Sequence, residues 1–269
     1  GPYSVSFITP FDYKSFYDVS KFLLEKVNGT GKILMITGFP GGTPDTLRTA
    51  AAKKAISEYP QVKLLGSLAG RWNRVDGRKA MEDLMTAHPD FDAVICLNDE
   101  MAIGALSALD DAGEKNIPII GHNGTTDVME FIKNGRILAS ASTFPFWTGA
   151  YMVAMAYDAA HGYEYSLPER MLIAQHAVIT KSNVDLYIEK YVKKIDNLPF
   201  DFRKMSKVLH PEDWDPQNLV YPLDVQEYFR FSEKPKGLEL PQEWQQSLNS
   251  KQPEKIAILY KEHYKNNIL

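Results

Sequence analysis

Short apolar runs alternate with helical patterns along the first two-thirds of this chain, and the alternation limits the folds open to it. Most of each run is apolar, which is typical of strands covered on both faces. Between them, apolar residues recur every three or four positions, as at Met101, Ala105 and Leu109, before the stop signal Gly113. This alternation predicts an α/β fold, with a parallel sheet sandwiched by helices. The predicted strands are residues 5–9, 32–37, 62–68, 91–97, 117–121 and 137–142.

The composition argues against two classes of protein. Hydrophobic residues make up 44% and charged residues 24% of the 269 residues, as in ordinary globular proteins. The net charge of −4 argues against a nucleic-acid partner, because nucleic-acid-binding surfaces are usually basic. No apolar run approaches the ~20 residues of a membrane-spanning helix. The single cysteine, Cys96, lies inside an apolar run, so we expect a buried thiol rather than a nucleophile.

Polar side chains follow two of the predicted strands at the point where each strand ends. Asn98 and Asp99 come directly after the run 91–97, and His122 and Asn123 follow the run 117–121. Ligands of open parallel sheets bind outside the carboxyl ends of the strands, so these side chains indicate recognition of a polar ligand. Asp99 directly precedes a helical pattern, and we therefore assign it to the helix N-terminus and Asn98 to the ligand.

The motifs of common enzymes and metal sites are missing from the pattern. The loop 38–42 is rich in glycine but lacks the lysine of a nucleotide-binding P-loop and the spacing of a dinucleotide-binding fold. No serine lies in a nucleophile elbow, and no carboxylate pair suggests acid–base catalysis. A zinc site needs three or four ligands, which His122 alone does not supply. We therefore expect neither an enzyme nor a cofactor or metal, with no catalytic residues.

The chain changes character after residue 195. Prolines interrupt every periodic pattern there, yet aromatic residues stay frequent, which is unusual for disordered tails. We expect an ordered, loop-rich extension over 196–269 that ends in a helix near 253–264. Before it, we predict a helix at 146–160, a strand at 171–180, and a helix at 182–194 with Ser182 as its cap.

Four motifs in order give the chain a family resemblance. NDEMAIGAL at 98–106, GHNGTTD at 121–127, GRILASA at 135–141 and PFWTG at 145–149 closely resemble the ribose-binding-protein family. These are type I periplasmic sugar-binding proteins of ABC importers. The resemblance covers about residues 5–194, and KILMITG at 32–38 fits the same family. It implies a second, C-terminal ligand-binding lobe at 1–145 and a crossover segment at 146–195 shared with a first lobe.

The resemblance also implies roles for individual residues. Arg48 stands where the family places an arginine on ligand hydroxyls, Trp72 where an aromatic ring stacks on the sugar, and Asn98 at a hydrogen-bonding asparagine. A sugar presents hydroxyls and weakly polar ring faces, so an arginine, an amide and an aromatic ring suit its recognition.

At three further positions of the family's ligand site, this chain carries a different residue from the usual one. Asn123 stands at a usual aspartate, His122 at a usual aromatic residue and Thr143 at a usual glutamine. These changes concern the identity of the ligand more than the binding role. Together with Arg71 and Arg74 nearby, the loss of the aspartate favours a more acidic or less hydroxylated ligand than ribose.

The predicted function is that of a solute-binding receptor. It would capture a sugar or polyol between two lobes and present it to the membrane permease of an ABC importer, in the periplasm or another extracytoplasmic compartment. The chain begins where the second lobe begins, so we expect a first lobe that was cleaved, truncated or is supplied by another chain. That lobe, a second copy of the chain, or the extension 196–269 would cover the helix 146–160.

Two other classes of protein fit the same fold. The effector-binding domain of a lactose-repressor-type transcription regulator shares it and needs a helix-turn-helix segment upstream, and a sensor module is the related possibility. An α/β enzyme is disfavoured by the missing catalytic residues, although the fold alone does not exclude one.

Overall fold

The computed structural model describes residues 7–224, 236–237 and 239–265. It divides into two compact units. The sheet unit comprises Asp12–Ser142 and Ala177–Asp196, and the extension unit comprises Gly1–Phe11, Thr143–His176 and Asn197–Leu269. The chain therefore passes four times from one unit to the other. The domain boundaries predicted at 145 and 195 lie close to two of these passages.

The described elements follow the alternation expected from the sequence. The strands are β1 Phe7–Pro10, β2 Thr30–Thr37, β3 Gln61–Ala69, β4 Ala93–Cys96, β5 Ile119–His122, β6 Ala139–Ser142, β7 Met171–Ala174, β8 Ala177–Thr180 and β9 Val220–Pro222. The helices are α1 Asp12–Lys26, α2 Thr43–Ser57, α3 Arg74–Ala87, α4 Asp99–Asp111, α5 Thr126–Lys133, α6 Pro145–Ala160, α7 Val184–Tyr187, α8 Gln242–Asn249 and α9 Gln252–His263. Residues 5 and 6 of the first predicted strand lie outside the described residues.

The sheet unit contains a six-stranded sheet in the order β3-β2-β4-β5-β6-β8. Its first five strands are parallel, and β8 pairs antiparallel with β6 at the edge. Every residue of β4, β5 and β6 is buried, as is typical of strands covered on both faces. The predicted α/β fold with a mostly parallel sheet is confirmed.

The order of the strands reverses between β2 and β4. From β2 the chain continues outward to β3, whereas from β4 it continues in the opposite direction to β5 and β6. The loops that follow β2 and β4 therefore diverge and leave a crevice at the carboxyl ends of these strands. Ligands of open α/β sheets bind at such a switch point.

Two glycines allow α3 and α4 to approach closely. A Cβ atom added at Gly104 would lie 2.2 Å from the carbonyl oxygen of Arg74, and one added at Gly77 would lie 2.8 Å from the Cα atom of Met101. Real Cβ atoms do not approach backbone atoms to these distances. The contact between the two helices therefore depends on the absence of side chains at both positions.

The structure corrects two predicted elements. Residues 171–180 form two strands, β7 and β8, that belong to different sheets and different units, because the ladder is broken at Gln175 and His176. The predicted helix 182–194 is the short helix α7, followed by a π-helical turn at Ile188–Val192. Ser182 is not its cap, since its hydroxyl bonds to Thr180 and Asn183 occupies the position before the helix.

The extension unit is built around a three-stranded sheet and α6. The strand order is β1-β7-β9, with β1 parallel and β9 antiparallel to β7. Trp147, Tyr151 and Met155 on α6 are fully buried. The indole nitrogen of Trp147 donates a hydrogen bond of 2.6 Å to the carbonyl oxygen of Pro216, which lies in the extension. The extension therefore packs against one face of α6, as one of the predicted alternatives has it.

A buried ion pair joins the extension to the rest of its unit. The ammonium group of Lys207 contacts the carboxylate of Glu169, and both side chains are about 5% exposed or less. Aromatic rings surround the ammonium nitrogen, which lies 4.2 Å from the Trp214 ring centroid and 4.6 Å from that of Tyr260. Burial lowers the pKa of Lys207. At Glu169 burial acts to raise the pKa, but the charge of Lys207 and the hydrogen bonds from Lys207 and Ser166 together outweigh it and lower the pKa of that carboxyl.

The helices predicted near both ends of the extension unit are present. Helix α6 occupies the predicted 146–160 with one additional residue, and α9 matches the predicted 253–264 to within one residue at each end. The opposite side of α6 remains exposed at Phe146, Met152, Val153 and Tyr157. None of the helices within the described ranges combines the length and apolarity needed to cross a membrane.

Candidate functional site

Polar and aromatic side chains of the sheet unit gather at the crevice where the strand order reverses. Arg48 lies on α2, which follows β2, and Asn98 ends the segment that follows β4. Asn123 directly follows β5, and Trp72 lies in the loop between β3 and α3. The sequence resemblance selected these four residues from separate segments of the chain, and the structure brings them together at one edge of the sheet.

Arg48 is held by a buried ion pair. Its Nε atom donates to Oδ1 of Asp12 at 2.8 Å, its Nη2 atom lies 2.6 Å from the same oxygen, and both side chains are only 9% exposed. The Nη1 atom donates to the carbonyl oxygen of Leu97 at 2.8 Å and to Oδ1 of Asn123 at 3.2 Å. An exposed surface arginine makes no such set of contacts, and Arg48 is therefore a fixed part of the crevice.

The orientation of the Asn123 amide follows from its neighbours. A guanidinium group only donates hydrogen bonds, so the Asn123 atom that faces Arg48 must be the oxygen. The same oxygen lies 2.9 Å from Nδ1 of His122, which must then carry a proton. Nε2 of His122 lies 2.7 Å from the hydroxyl of Ser15, which donates to it when the ring is neutral.

His122 lies beneath the crevice rather than in it. Its side chain is fully buried and contacts the ring of Phe16 at a centroid distance of 5.8 Å. Its effect on a ligand would therefore pass through the amide of Asn123. The assignment of His122 as a direct ligand contact stays a prediction from the resemblance.

The loop that carries Trp72 has a strained backbone. Arg71 and Trp72 have φ angles of 48° and 66°, and Asn123 has a φ of 113°, values that non-glycine residues rarely adopt. Backbone strain of this kind concentrates at functional sites. The Trp72 ring covers Gly38, where an added Cβ would lie 1.9 Å from the indole, and the Arg48 guanidinium lies 5.6 Å from the ring centroid.

The structure gives the N-cap of α4 to Asn98 and places Asp99 in the first turn of the helix. Asn98 is the N-cap, because its Oδ1 accepts from the backbone nitrogen of Met101 at 2.9 Å, and its Nδ2 donates to the carbonyl oxygen of Trp72. The assignment of the cap to Asp99 is wrong. The role of Asn98 toward a ligand stays a prediction, and one amide hydrogen remains for it.

Asp99 connects the start of α4 to β6 and to the loop before α5 inside the sheet unit. Its carboxylate accepts hydrogen bonds from Ser140 and from the backbone nitrogen and hydroxyl of Thr125, at 2.6 to 3.2 Å. Burial raises the pKa of Asp99 to about 6, although these hydrogen bonds oppose the rise. The carboxyl group therefore titrates close to the pH range in which proteins work.

We expect Asp99 to lower the stability of the folded chain as the pH rises from about 4 to about 6. The pKa in the folded state exceeds the ~3.9 of an unfolded aspartate, so the folded state binds more protons in this window and loses stability with rising pH. The full effect is about 3 kcal/mol. Urea unfolding of the wild type and of Asp99→Asn across this range measures it. Relative to the wild type, the variant should be less destabilised at pH 7 than at pH 4, and a constant difference would contradict the assignment.

The remaining predicted residues are placed differently. Thr143 is the first residue of its segment in the extension unit, and its role stays a prediction. Arg74 is neutralised by Glu100 and Asp127, whereas Arg71 is exposed and its guanidinium has no ion-pair partner among the described residues. Cys96 is buried, and burial raises the pKa of its thiol, as the sequence indicated.

Two supporting residues were missed by the sequence reasoning. Asp12 pairs with Arg48, and Ser15 bonds to His122. Both lie in the first turn of α1, and a carboxylate at a helix start is most simply explained by the helix dipole. Only the fold shows that this turn lies under the crevice. Within the described ranges, no group of three histidine, cysteine, aspartate or glutamate side chains is arranged to hold a metal ion.

Curated relatives of the chain are sugar- and polyol-binding proteins. The ribose import binding protein of Salmonella typhimurium is 32% identical over 135 residues, which are 50% of this chain and 45% of that protein. The xylitol-binding protein of Mycolicibacterium smegmatis is 27% identical over 192 residues, which are 69% of this chain and 52% of that protein. The chain spans about half the length of these relatives.

Solved structures and a family model agree with these relatives. A solute binding protein of an ABC transporter from Bacillus halodurans, with bound myo-inositol, superimposes with a TM-score of 0.65 at 26% identity over 70% of this chain and 64% of that chain. Residues 7–164 match the model of a family described as a periplasmic binding protein domain. Because that match extends over more than half of the 269 residues, the chain belongs to the periplasmic binding protein domain family.

Proposed function

We propose that this chain forms the ligand-binding part of a solute receptor for small polyhydroxylated compounds. The observation that carries the proposal is the group formed by Arg48, Trp72 and Asn123 at the switch point of the sheet. It combines fixed hydrogen-bond donors with an aromatic ring, and it lies where α/β sheets bind ligands. Binding rather than catalysis also agrees with the relatives, which are all described as binding proteins.

The partners of the whole protein follow from the same relatives. We infer that the receptor serves an ABC-type importer outside the cytoplasm. The ribose import binding protein is named for import, and the structure with bound myo-inositol is described as a solute binding protein of an ABC transporter. A further lobe, on the same polypeptide or supplied by another chain, would close over the crevice and bury the ligand. The permease would then recognise the closed form.

The proposal predicts weak but specific binding by this chain. With only part of the ligand surface covered, we expect dissociation constants in the millimolar range for ribose or xylitol, where binding free energies are about −4 kcal/mol. Trp72→Ala should weaken binding by about 1–3 kcal/mol, because the ligand loses its aromatic contact. Titrations followed by the backbone amide resonances of the sheet unit in ¹H–¹⁵N NMR spectra measure both quantities.

The matched control is Phe202→Ala, which removes an aromatic ring that is 45% exposed in the extension unit. It should leave the affinity unchanged. Binding that is unaffected by Trp72→Ala, with the spectrum otherwise intact, would place the ligand elsewhere. The absence of binding by any member of a sugar and polyol panel would contradict the proposed function itself.

A further inference from the structure

The oxygen of the Asn123 side chain is fully used inside the protein. It accepts from Nη1 of Arg48 at 3.2 Å and from Nδ1 of His122 at 2.9 Å, and an amide oxygen has two lone pairs. The guanidinium of Arg48 can only donate, so the amide atom that faces it must be an acceptor. The amide is therefore locked in one orientation, because a flip would place its N–H groups against those of Arg48.

The nitrogen of the same side chain is left with both of its hydrogens. Nδ2 of Asn123 has no hydrogen-bond partner among the described residues, and the residue is half-buried at the crevice. Arg48 donates three of its five N–H groups to Asp12, Leu97 and Asn123, and its Nη2 contacts Asp12 only as an ion pair, so Nη2 also keeps hydrogens to donate. Asn123 and Arg48 thus both present hydrogen-bond donors at this point of the crevice.

The free N–H groups of Asn123 and Arg48 favour ligand groups that accept hydrogen bonds. A hydroxyl group accepts from Nδ2, but its own proton then needs an acceptor that Asn123 does not supply. A carboxylate oxygen only accepts, so it satisfies the amide without leaving a buried proton unpaired. The ion pair of Arg48 with Asp12 leaves the crevice without net charge there, and the exposed, unpaired Arg71 on the Trp72 loop adds a positive one.

We propose that Asn123 makes this site selective for a polyhydroxylated carboxylate, a sugar acid, whose carboxylate lies against the Asn123 amide. This inference rests on the proposed function, since it names the ligand class of the same site. His122 is a positioning residue in it, because it acts on the ligand only through the orientation of the amide.

The test compares two ligands that differ at one group only, the group that would contact the Asn123 amide. D-Xylonate and xylitol share five carbons, and the carboxylate of the first replaces a hydroxymethyl group of the second. NMR titration of the full chain should give at least tenfold tighter binding of xylonate than of xylitol, and the xylonate affinity should fall with added salt. D-Xylulose, which carries a neutral carbonyl, should bind no better than xylitol. Equal binding of xylulose and xylonate would overturn the carboxylate assignment.

Two variants connect the preference to the amide. Asn123→Asp has nearly the same shape but presents carboxylate oxygens, so it should reverse the preference in favour of xylitol by tenfold or more. His122→Phe keeps a buried ring and removes one of the two donors that fix the amide, so the preference for xylonate should fall while the dependence on Trp72 persists. A ratio unchanged in Asn123→Asp would overturn the role of Asn123, and one unchanged in His122→Phe would overturn the positioning role of His122.

The outcomes separate this inference from the proposed function. Binding of xylitol without a preference for xylonate by the unmodified chain would overturn the inference and leave a polyol receptor. Binding of none of the three probes would overturn both.

Discussion

Replacing Lys207 by methionine should destabilise the extension unit by about 3–5 kcal/mol. The substitution keeps most of the volume of the side chain but leaves the carboxylate of Glu169 buried without its cation. Removing one member of a buried ion pair is costly because the remaining charge has lost both water and partner. Urea unfolding followed by tryptophan fluorescence measures the change, since the ring of Trp214 lies 4.2 Å from the ammonium nitrogen.

The double variant Lys207→Met with Glu169→Gln should recover most of this loss. Glutamine removes the buried charge and keeps an oxygen for the hydrogen bonds that Ser166 donates to Glu169. Lys204→Met is the surface control, because its partner Asp213 is 64% exposed, and exposed pairs contribute about 1 kcal/mol or less. A Lys207→Met variant as stable as Lys204→Met would show that the pair is not buried as described.

Gly104→Ala should lower the stability of the sheet unit by about 3 kcal/mol, at the upper end of the range for overpacked interiors. The new Cβ would lie 2.2 Å from the Arg74 carbonyl oxygen and 2.9 Å from the Arg78 nitrogen, so α3 and α4 must move apart. Backbone atoms cannot yield as a flexible side chain does. Thermal or urea unfolding of the variant measures the loss.

The control for this prediction is the same substitution at Gly149 on α6. An added Cβ there meets no atom within 4 Å, and alanine is the better residue in a helix interior by about 0.5–1 kcal/mol. Gly149→Ala should therefore stabilise the chain slightly. If the two substitutions had effects of the same sign, the close approach of the helices would be wrong.

Much of the sheet unit was predictable from the sequence because its strands are short, buried and separated by periodic helices. β2 and β3 lie within two residues of the predicted bounds, and the parallel order follows from the alternation. The break between β7 and β8 was not predicted, because two polar residues inside an otherwise strand-like run, Gln175 and His176, do not by themselves show that its halves join different sheets. β7 pairs with β1 and β9 and β8 pairs with β6, and all of these partners are distant in sequence.

The residues of the crevice were also predictable only in part. The resemblance selected Arg48, Trp72 and Asn123, and the structure brings them to one edge of the sheet. The choice of cap between Asn98 and Asp99 failed because both residue types favour that position, and one residue of register decides between them. The fixed orientation of the Asn123 amide depends on Arg48, which is distant in sequence, and on His122, whose ring is bonded in turn by Ser15 of α1.

The late position of β8 in the chain affects the order in which the protein can fold during synthesis. When the ribosome has completed β6, the residues that pair with its outer edge, Ala177–Thr180, have not yet been made. The nascent sheet therefore exposes the unpaired edge Ala139–Ser142 until the intervening segment emerges. An exposed edge of small, buried-type residues is a template for pairing between growing chains. Fragments that end between residues 143 and 176 should thus aggregate more readily than those that include β8.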